Sequence, residues 1–406
     1  MTSKIARSPK PSDVSWIVRI LFLLAFIFVT SQIPRPKTSG FALPNPSETE
    51  SLQKKALALD RSFAVVELPS LSQTVHSPTI TELNAKNNKA SEIVVAWFGG
   101  SREGSADVNI YLTKAPTGQI NPDTWIQPRS ILTRALVEQA FGQRNLKLGN
   151  PLLQTTPEGS LLLFFVTTSY GGWSCSHINL TYSEDHGDSW SPPRRIITSP
   201  FADFSTLVRN PGTWLKDGSL GLPIYHEFLN KHAEWLRIGK DFRVLTKARI
   251  PSSQPALQPS VVPLTEDLAV GALRDAGSDQ KIQWAFTKDK GQTWQRGAAR
   301  QVPNPDSAAA MIRLSDGSLL LAANPTPKHR HILKLLRSYD RGESWSAIRT
   351  IEESNDPNIE FSYPALIQDS RGKIHLVYSY LRKSIRHATF TMRWLNENTE
   401  DNVPSP

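Results

Sequence analysis

Ser183-Glu-Asp-His-Gly-Asp-Ser-Trp190, Thr287-Lys-Asp-Lys-Gly-Gln-Thr-Trp294 and Ser338-Tyr-Asp-Arg-Gly-Glu-Ser-Trp345 are three copies of one octapeptide, S/T-x-D-x-G-x-S/T-W. Each reads as a turn. The hydroxyl and carboxylate oxygens accept bonds from loop amides, the glycine supplies a positive φ, and the tryptophan covers the hairpin. The aspartates, Asp185, Asp289 and Asp340, lie 104 and then 51 positions apart, so one degenerate copy belongs in the first gap, near Gly239-Lys-Asp241-Phe242. A second repeat of turn plus apolar strand interlocks with the first. Its copies begin at Glu158-Gly-Ser-Leu, Asp217-Gly-Ser-Leu, Asp267-Leu-Ala-Val, Asp316-Gly-Ser-Leu and Arg371-Gly-Lys-Ile, with Ser91-Glu-Ile-Val-Val-Ala-Trp-Phe98 as a sixth. A period of roughly fifty residues matches one four-stranded blade per copy. The chain is therefore expected to be all-β, a six-bladed β-propeller, in which the octapeptides are staples of the blades rather than chemistry.

The composition agrees. Of 406 residues, 39% are hydrophobic, 30 are proline and only 3 are methionine, a balance suited to a turn-rich β protein. The net charge is +9, of which +3 falls within residues 1–34: Lys4, Arg7, Lys10 and Arg19 against Asp13. The remaining +6 admits an anionic ligand, and no run of basic and aromatic residues argues for nucleic acid. Behind the basic leader, Ile20–Val29 is an uncharged apolar run. It predicts an N-terminal hydrophobic helix, either a signal anchor or a signal peptide, and with it an envelope location facing the periplasm or exterior, or secretion if the leader is cleaved. Cys175 is the sole cysteine, so no internal disulfide forms, as suits a bacterial envelope. The expected organisation is a leader over 1–34, a linker over 35–62, the propeller over 63–395 and a disordered tail over 396–406.

At the octapeptides the sequence resembles the sialidase (neuraminidase) superfamily, in its bacterial BNR/Asp-box repeat, predicted-neuraminidase branch. The resemblance implies a sialidase-like propeller and a site at one mouth of it. Such enzymes hold a substrate carboxylate with three arginines. Arg274 in Ala272-Leu-Arg-Asp275 and Arg330 in Asn324-Pro-Thr-Pro-Lys-His-Arg330 match two of them. The first-blade position reads Val75-His76-Ser77-Pro78 and lacks the third. Tyr363 in Phe361-Ser-Tyr-Pro-Ala-Leu366 matches the nucleophile, while its glutamate partner is replaced by Gln258, which can bond a phenol but cannot take its proton. Ser101-Arg102-Glu103-Gly-Ser-Ala-Asp107 supplies blade-one acids, Glu103 and Asp107, with Arg102 beside them.

Glycoside hydrolysis needs an acid for the leaving oxygen and a second group on the opposite face of the sugar. Glu227, just past an apolar strand in Pro223-Ile-Tyr-His-Glu227, and Asp306, in Pro303-Asn-Pro-Asp306, are further carboxylates that strand ends should bring to the mouth. The candidate catalytic set is thus Tyr363, Asp107, Glu103 and Glu227. The substrate-binding set is Arg274, Arg330, His76, Gln258, Arg102 and Asp306. Asp275 is the nearest structural partner for Arg274. There is no phosphate loop and no zinc spacing among the nine histidines, so neither metal nor cofactor is expected. The expected function is an exo-glycosidase acting on a terminal, acidic sugar of a glycan or polysaccharide. The alternative is a catalytically inactive carbohydrate-binding propeller in polysaccharide assembly or adhesion, and the fold alone also admits an assembly factor of the photosystem type.

Overall fold

The computed structural model describes residues 16, 18–25, 38–85, 90–118, 120–144, 146–169, 172–199, 203–228, 230–298 and 302–397. The chain divides into two compact units, Met1–Thr38 and Ser39–Pro406. In the first, residues 18–25 are helical, and no helix among the described residues is long and apolar enough to cross a membrane. The rest of the apolar run, residues 26–29, lies outside the described residues, as do residues 398–406 of the expected tail.

The second unit contains six antiparallel sheets, five of them four-stranded and one five-stranded because its inner strand is interrupted. Blade one runs Thr74–Leu83, Glu92–Gly100, Asn109–Pro116, Arg129–Leu132, and blades two to five follow the same inside-to-outside order. Blade six is made from both ends of the unit. Phe361–Gln368, Ile374–Tyr380 and Ser384–Phe390 receive Phe63–Glu67 as the outer strand, with Phe63 opposite Phe390 and Glu67 opposite Arg386. The sequence reading places Phe63 at the start of the propeller, and the fold gives that strand to the last blade.

Strands in the middle of a blade are apolar on both faces because each blade packs between two others. In Leu161–Thr168 the alternation is explicit. Leu161, Leu163 and Phe165 pack with Val94, Ala96 and Phe98 of blade one, whereas Leu162, Phe164 and Val166 pack with Leu222 and Ile224 of blade three. Every one of these side chains is buried, and each such burial stabilises by about 1.5–3 kcal/mol.

The octapeptides occupy equivalent outer turns. Ser183 Oγ accepts from Gly187 N at 2.7 Å, Asp185 Oδ1 accepts from Ser189 N at 2.8 Å, and the Thr287 and Ser338 copies repeat the pattern. Gly187, Gly291 and Gly342 take φ of 83°, 81° and 86°. Trp294 is buried, with its ring 5.6 Å from that of Trp235, whereas Trp190 and Trp345 are only half-buried. The segment expected as a linker is ordered from Ser39. Phe41 is buried against Trp235, and helix Pro46–Ala58, capped by Asn45 and Glu48, sets Ala56 against Gly372.

Four inner strands carry a bulge at a residue followed by proline. Ser77, Asn150, Gln258 and Tyr363 have φ of 53°, 43°, 49° and 55°, and the ladder slips at each. Non-glycine residues in this region cost of order 1–3 kcal/mol and persist only where the surroundings over-determine them. Proline also removes an N–H, which leaves inner carbonyls without ladder partners. The dipeptide Arg209-Asn210, in the interrupted inner strand of blade three, supplies the missing donors. Arg209 Nη1 donates to Pro78 O at 3.1 Å, and Nη2 donates to Tyr363 O and Pro364 O at 2.8 and 2.9 Å. Asn210 Nδ2 lies 3.1–3.2 Å from Gln258 O, Pro259 O and Ala309 O. Arg209→Met, of similar volume, should therefore lower stability by about 3 kcal/mol or more, since the carbonyls it serves stay buried and unpaired. Urea unfolding measures this; a loss under about 1 kcal/mol, the range of ordinary surface changes, would show that the hub is not needed.

Candidate active site

The inner-strand bulges aim side chains at one mouth of the propeller and link into a chain of hydrogen bonds. Asn150 Nδ2 donates to Tyr225 Oη at 2.9 Å, and Gln258 Nε2 donates to the same oxygen at 3.3 Å. Arg274 Nη1 in turn donates to Gln258 Oε1 at 3.1 Å and to Tyr363 Oη at 3.4 Å. His76 lies against Tyr363, ring centroids 4.4 Å apart, with neither ring nitrogen bonded among the described residues. Gln258 and Arg274 of blade four, Tyr363 of blade six and His76 of blade one are thus brought together.

Arg330 joins them from blade five. Its Cζ is 5.9 Å from the Tyr363 ring centroid, Nη1 donates to Glu360 Oε1 at 3.0 Å, and Nη2 donates to Asp306 O at 2.6 Å. Asp306 is a partner of the arginines rather than a separate carboxylate: Arg274 Nε donates to its Oδ1 at 2.6 Å. Asp275, the partner expected for Arg274, instead accepts from Gly277 N and Gln280 N in its own turn, because it ends the strand on the opposite side.

Two residues that sequence reasoning passed over complete the ring. Arg382, in the hairpin between Ile374–Tyr380 and Ser384–Phe390, accepts Val75 N–H on its carbonyl at 3.0 Å, which places it beside the blade-one segment that lacks an arginine. Its guanidinium donates to Glu360 Oε2 at 2.8 Å and to Glu103 Oε2 at 2.7 Å. A third guanidinium therefore stands at the mouth, delivered by blade six. Glu360, at the entrance of the Tyr363 strand, bridges Arg330 and Arg382. The only sequence signal for the pair is an Arg on a short hairpin and a Glu before Phe361-Ser-Tyr363.

The charges are strongly coupled. Burial opposes ionisation of Glu360, but bonds from Arg382 and Ser362 and the charge of Arg330 outweigh it and draw its carboxyl down to about 2. Burial and the nearby Arg382 hold His76 neutral, with its pKa well below the ordinary value. Arg274 is also buried, yet Tyr363 and Asp306 raise its pKa. Arg209, wholly buried 5.3 Å from the Tyr363 ring centroid, falls to about 10 through desolvation and stays cationic at neutral pH. Burial pushes the Glu227 carboxyl up, against the opposing charge of Arg274. Glu227 backbone N–H donates to Ser205 Oγ, at the end of the strand that carries Tyr225.

Glu103 thus joins the cluster through Arg382, and Glu227 borders it. Asp107 is turned into its own loop, where it accepts from Ser101 N and Oγ at 2.8 and 2.9 Å, and those bonds lower its pKa. Arg102 is exposed on that loop, its carbonyl accepting from Ser105 N. The structure does not bring either of them to Tyr363.

The fold has many solved counterparts. The Hadza microbial sialidase Hz136 superposes with a TM-score of 0.64 at 18% identity, over 79% of this chain and 66% of that one, so the chain spans just under two thirds of its length. The intramolecular trans-sialidase from Ruminococcus gnavus gives 0.61 at 13% identity, over 80% and 96% of the two chains. The NanB sialidase from Streptococcus pneumoniae gives 0.59 at 11%, over 80% and 69%. At these identities the likeness is one of fold. No curated protein matches the sequence. The family model described as a BNR repeat-like domain matches residues 91–376, which is most of the propeller, and the chain belongs to that family.

Proposed function

We propose that the chain is an exo-acting glycoside hydrolase for a terminal acidic sugar of a glycan or polysaccharide. The observation that carries this reading is a linked set of three guanidinium groups beside Tyr363: Arg274 donates to its hydroxyl, Arg330 lies 5.9 Å from its ring centroid, and Arg382 shares Glu360 with Arg330. Guanidinium groups grip a carboxylate in paired hydrogen bonds, and an acidic sugar held there would present its anomeric carbon to the phenol. Tyr363 Oη bonds to that carbon as its proton passes to solvent water at the mouth, and Arg274, which donates to Oη, stabilises the oxygen. The bond to the leaving alcohol breaks as that alcohol takes a proton. Water then cleaves the tyrosyl intermediate. Glu227, whose carboxyl burial pushes above the ordinary range, is suited to donate to the leaving oxygen. The sialidases and trans-sialidases that share the fold support a glycan as substrate. A second reading, a carbohydrate-binding propeller without turnover, is favoured by one residue, Gln258, where a proton-accepting carboxylate would serve Tyr363 better.

Export to the cell envelope also belongs to the proposal and rests on the basic leader and apolar run. Because Phe41 and helix Pro46–Ala58 dock on the propeller, the folded body to test without the leader begins at Ser39, within the segment expected as a linker.

Incubation with a panel of glycans bearing terminal acidic and neutral sugars, with mass spectrometry of the products, decides between the readings. Release of an acidic monosaccharide is expected, and Tyr363→Phe should lower it by about 10³-fold or more. Binding without release would establish the second reading. Arg330→Ala should lower turnover of the acidic substrate by about 10²-fold or more, with little effect on a neutral analogue. An equal effect on both would remove the carboxylate clamp.

The pH profile tests Glu227. A carboxyl whose pKa is raised keeps its proton at pH values where a free glutamate is ionised. Activity that needs the acid form is therefore full at low pH and lost as pH rises through the elevated value. Glu227→Gln should cut turnover by about 10²-fold and abolish that alkaline limb for substrates with a poor leaving group. An unchanged alkaline limb would assign the acid elsewhere.

A further inference from the structure

The strand Leu220–His226 and the next, His232–Ile238, form a hairpin in blade three in which His226 and His232 are direct register partners. Residues opposite each other across an antiparallel pair share a face, and so does the residue two positions further along a strand. Glu234 is that residue. Three groups that ligate metals therefore meet in one place, with one ring nitrogen each of His226 and His232 and an oxygen of the Glu234 carboxylate within 4.8 Å of one another. His226 Nε2 stands 2.8 Å from Glu234 Oε2, and His232 Nε2 stands 3.7 Å from Oε1. Ligand atoms on a tetrahedral zinc with bonds of about 2.0 Å lie about 3.3 Å apart, between those two separations.

We infer that His226, His232 and Glu234 form a binding site for a divalent transition metal of the zinc class, with a fourth position open to water. The outer partners suit this role. His232 Nδ1 lies 2.6 Å from Asn230 O, so that nitrogen carries a proton and leaves Nε2 as the atom that faces Glu234. The imidazoles stack with centroids 4.4 Å apart, and all three side chains are between 11% and 17% exposed, buried enough to be fixed and open enough for an ion to enter. Lys247, on the neighbouring strand, places Nζ 3.2 Å from Glu234 Oε2 and competes with the ion for that oxygen. Binding replaces the proton that His226 Nε2 shares with Glu234, and it clamps the base of the hairpin that carries Glu227. The site stands outside the arginine and tyrosine cluster, and its existence does not depend on the glycosidase reading.

The test uses the untagged full chain, stripped with chelator and titrated with Zn²⁺ by calorimetry, with Co²⁺ absorption as a second probe. The expected result is saturable binding of about one ion per chain, with the visible absorption of a low-symmetry cobalt site. His226→Gln and Glu234→Gln should each weaken Zn²⁺ by about ten-fold or more. Lys247→Ala, which leaves the backbone pairing of residue 247 with Leu236 in place, should tighten it. Absence of saturable binding by the wild-type chain, or unchanged affinity in both folded ligand variants, overturns the assignment. If a ligand variant fails to fold, the cobalt spectrum of the wild type and the Lys247→Ala affinity decide it: no cobalt absorption, or no tightening, counts against the site.

Discussion

A propeller that puts side chains at its axis has to interrupt its own inner strands, and the arginine and asparagine at positions 209 and 210 make that possible. Each X-Pro bulge forfeits ladder hydrogen bonds where water is excluded, at a cost of about 1–3 kcal/mol for every carbonyl left bare. Arg209 bonds carbonyls of blades one and six, and Asn210 bonds those of blades four and five. One dipeptide of blade three thus joins four other blades at the axis and fixes the left-handed backbone that turns Gln258 and Tyr363 toward the mouth. Arg209 has no carboxylate partner among the described residues. Its charge is balanced by carbonyl dipoles and by the π-face of Tyr363, so the polarity of the mouth begins beneath its floor.

The arginines above that floor are already engaged. Asp306 holds Arg274, Glu360 holds both Arg330 and Arg382, and Glu103 holds the other end of Arg382. Such pairs fix the guanidinium planes before any ligand arrives, which lowers the ordering cost of binding. They also mean that an anion shares donors with protein carboxylates instead of meeting bare cations. The arrangement favours geometry over raw affinity, and it selects ligands whose carboxylate fits between fixed planes.

Repeats in the sequence were enough to identify the architecture, since hydroxyl, aspartate, glycine and tryptophan at fixed offsets describe a turn whose hydrogen bonds are local. Arg274, Arg330 and Tyr363 were legible only through the family resemblance, which ties each of them to a place within its blade. Arg382 and Glu360 were not, because they come from a hairpin and a strand entrance that carry no motif and acquire meaning only when blade six lies beside Val75. Arg209 and Tyr225 read as ordinary strand residues until the bulges opposite them are seen. Asp107 shows the reverse error, a carboxylate in a suggestive loop that spends its oxygens on Ser101. The triad of His226, His232 and Glu234 escapes a search by spacing, since its members are set by cross-strand register and a hairpin lies between them.

The outer strand of blade six has a kinetic meaning. Phe63–Glu67 leaves the ribosome before the rest of the propeller, and its partner Ser384–Phe390 is the last propeller strand in chain order. Until then the early strand has an open edge, and Phe63 lacks the Trp394 ring on which it finally stacks, 4.5 Å away. Loop-closure entropy grows only with the logarithm of length, so the finished ring is little penalised for joining such distant segments. The waiting time is the greater hazard. A chain cut short before residue 384 would hold five complete blades, an unpaired Phe63–Glu67 and a two-stranded remnant of blade six, which makes truncation a matter of aggregation as much as of lost activity.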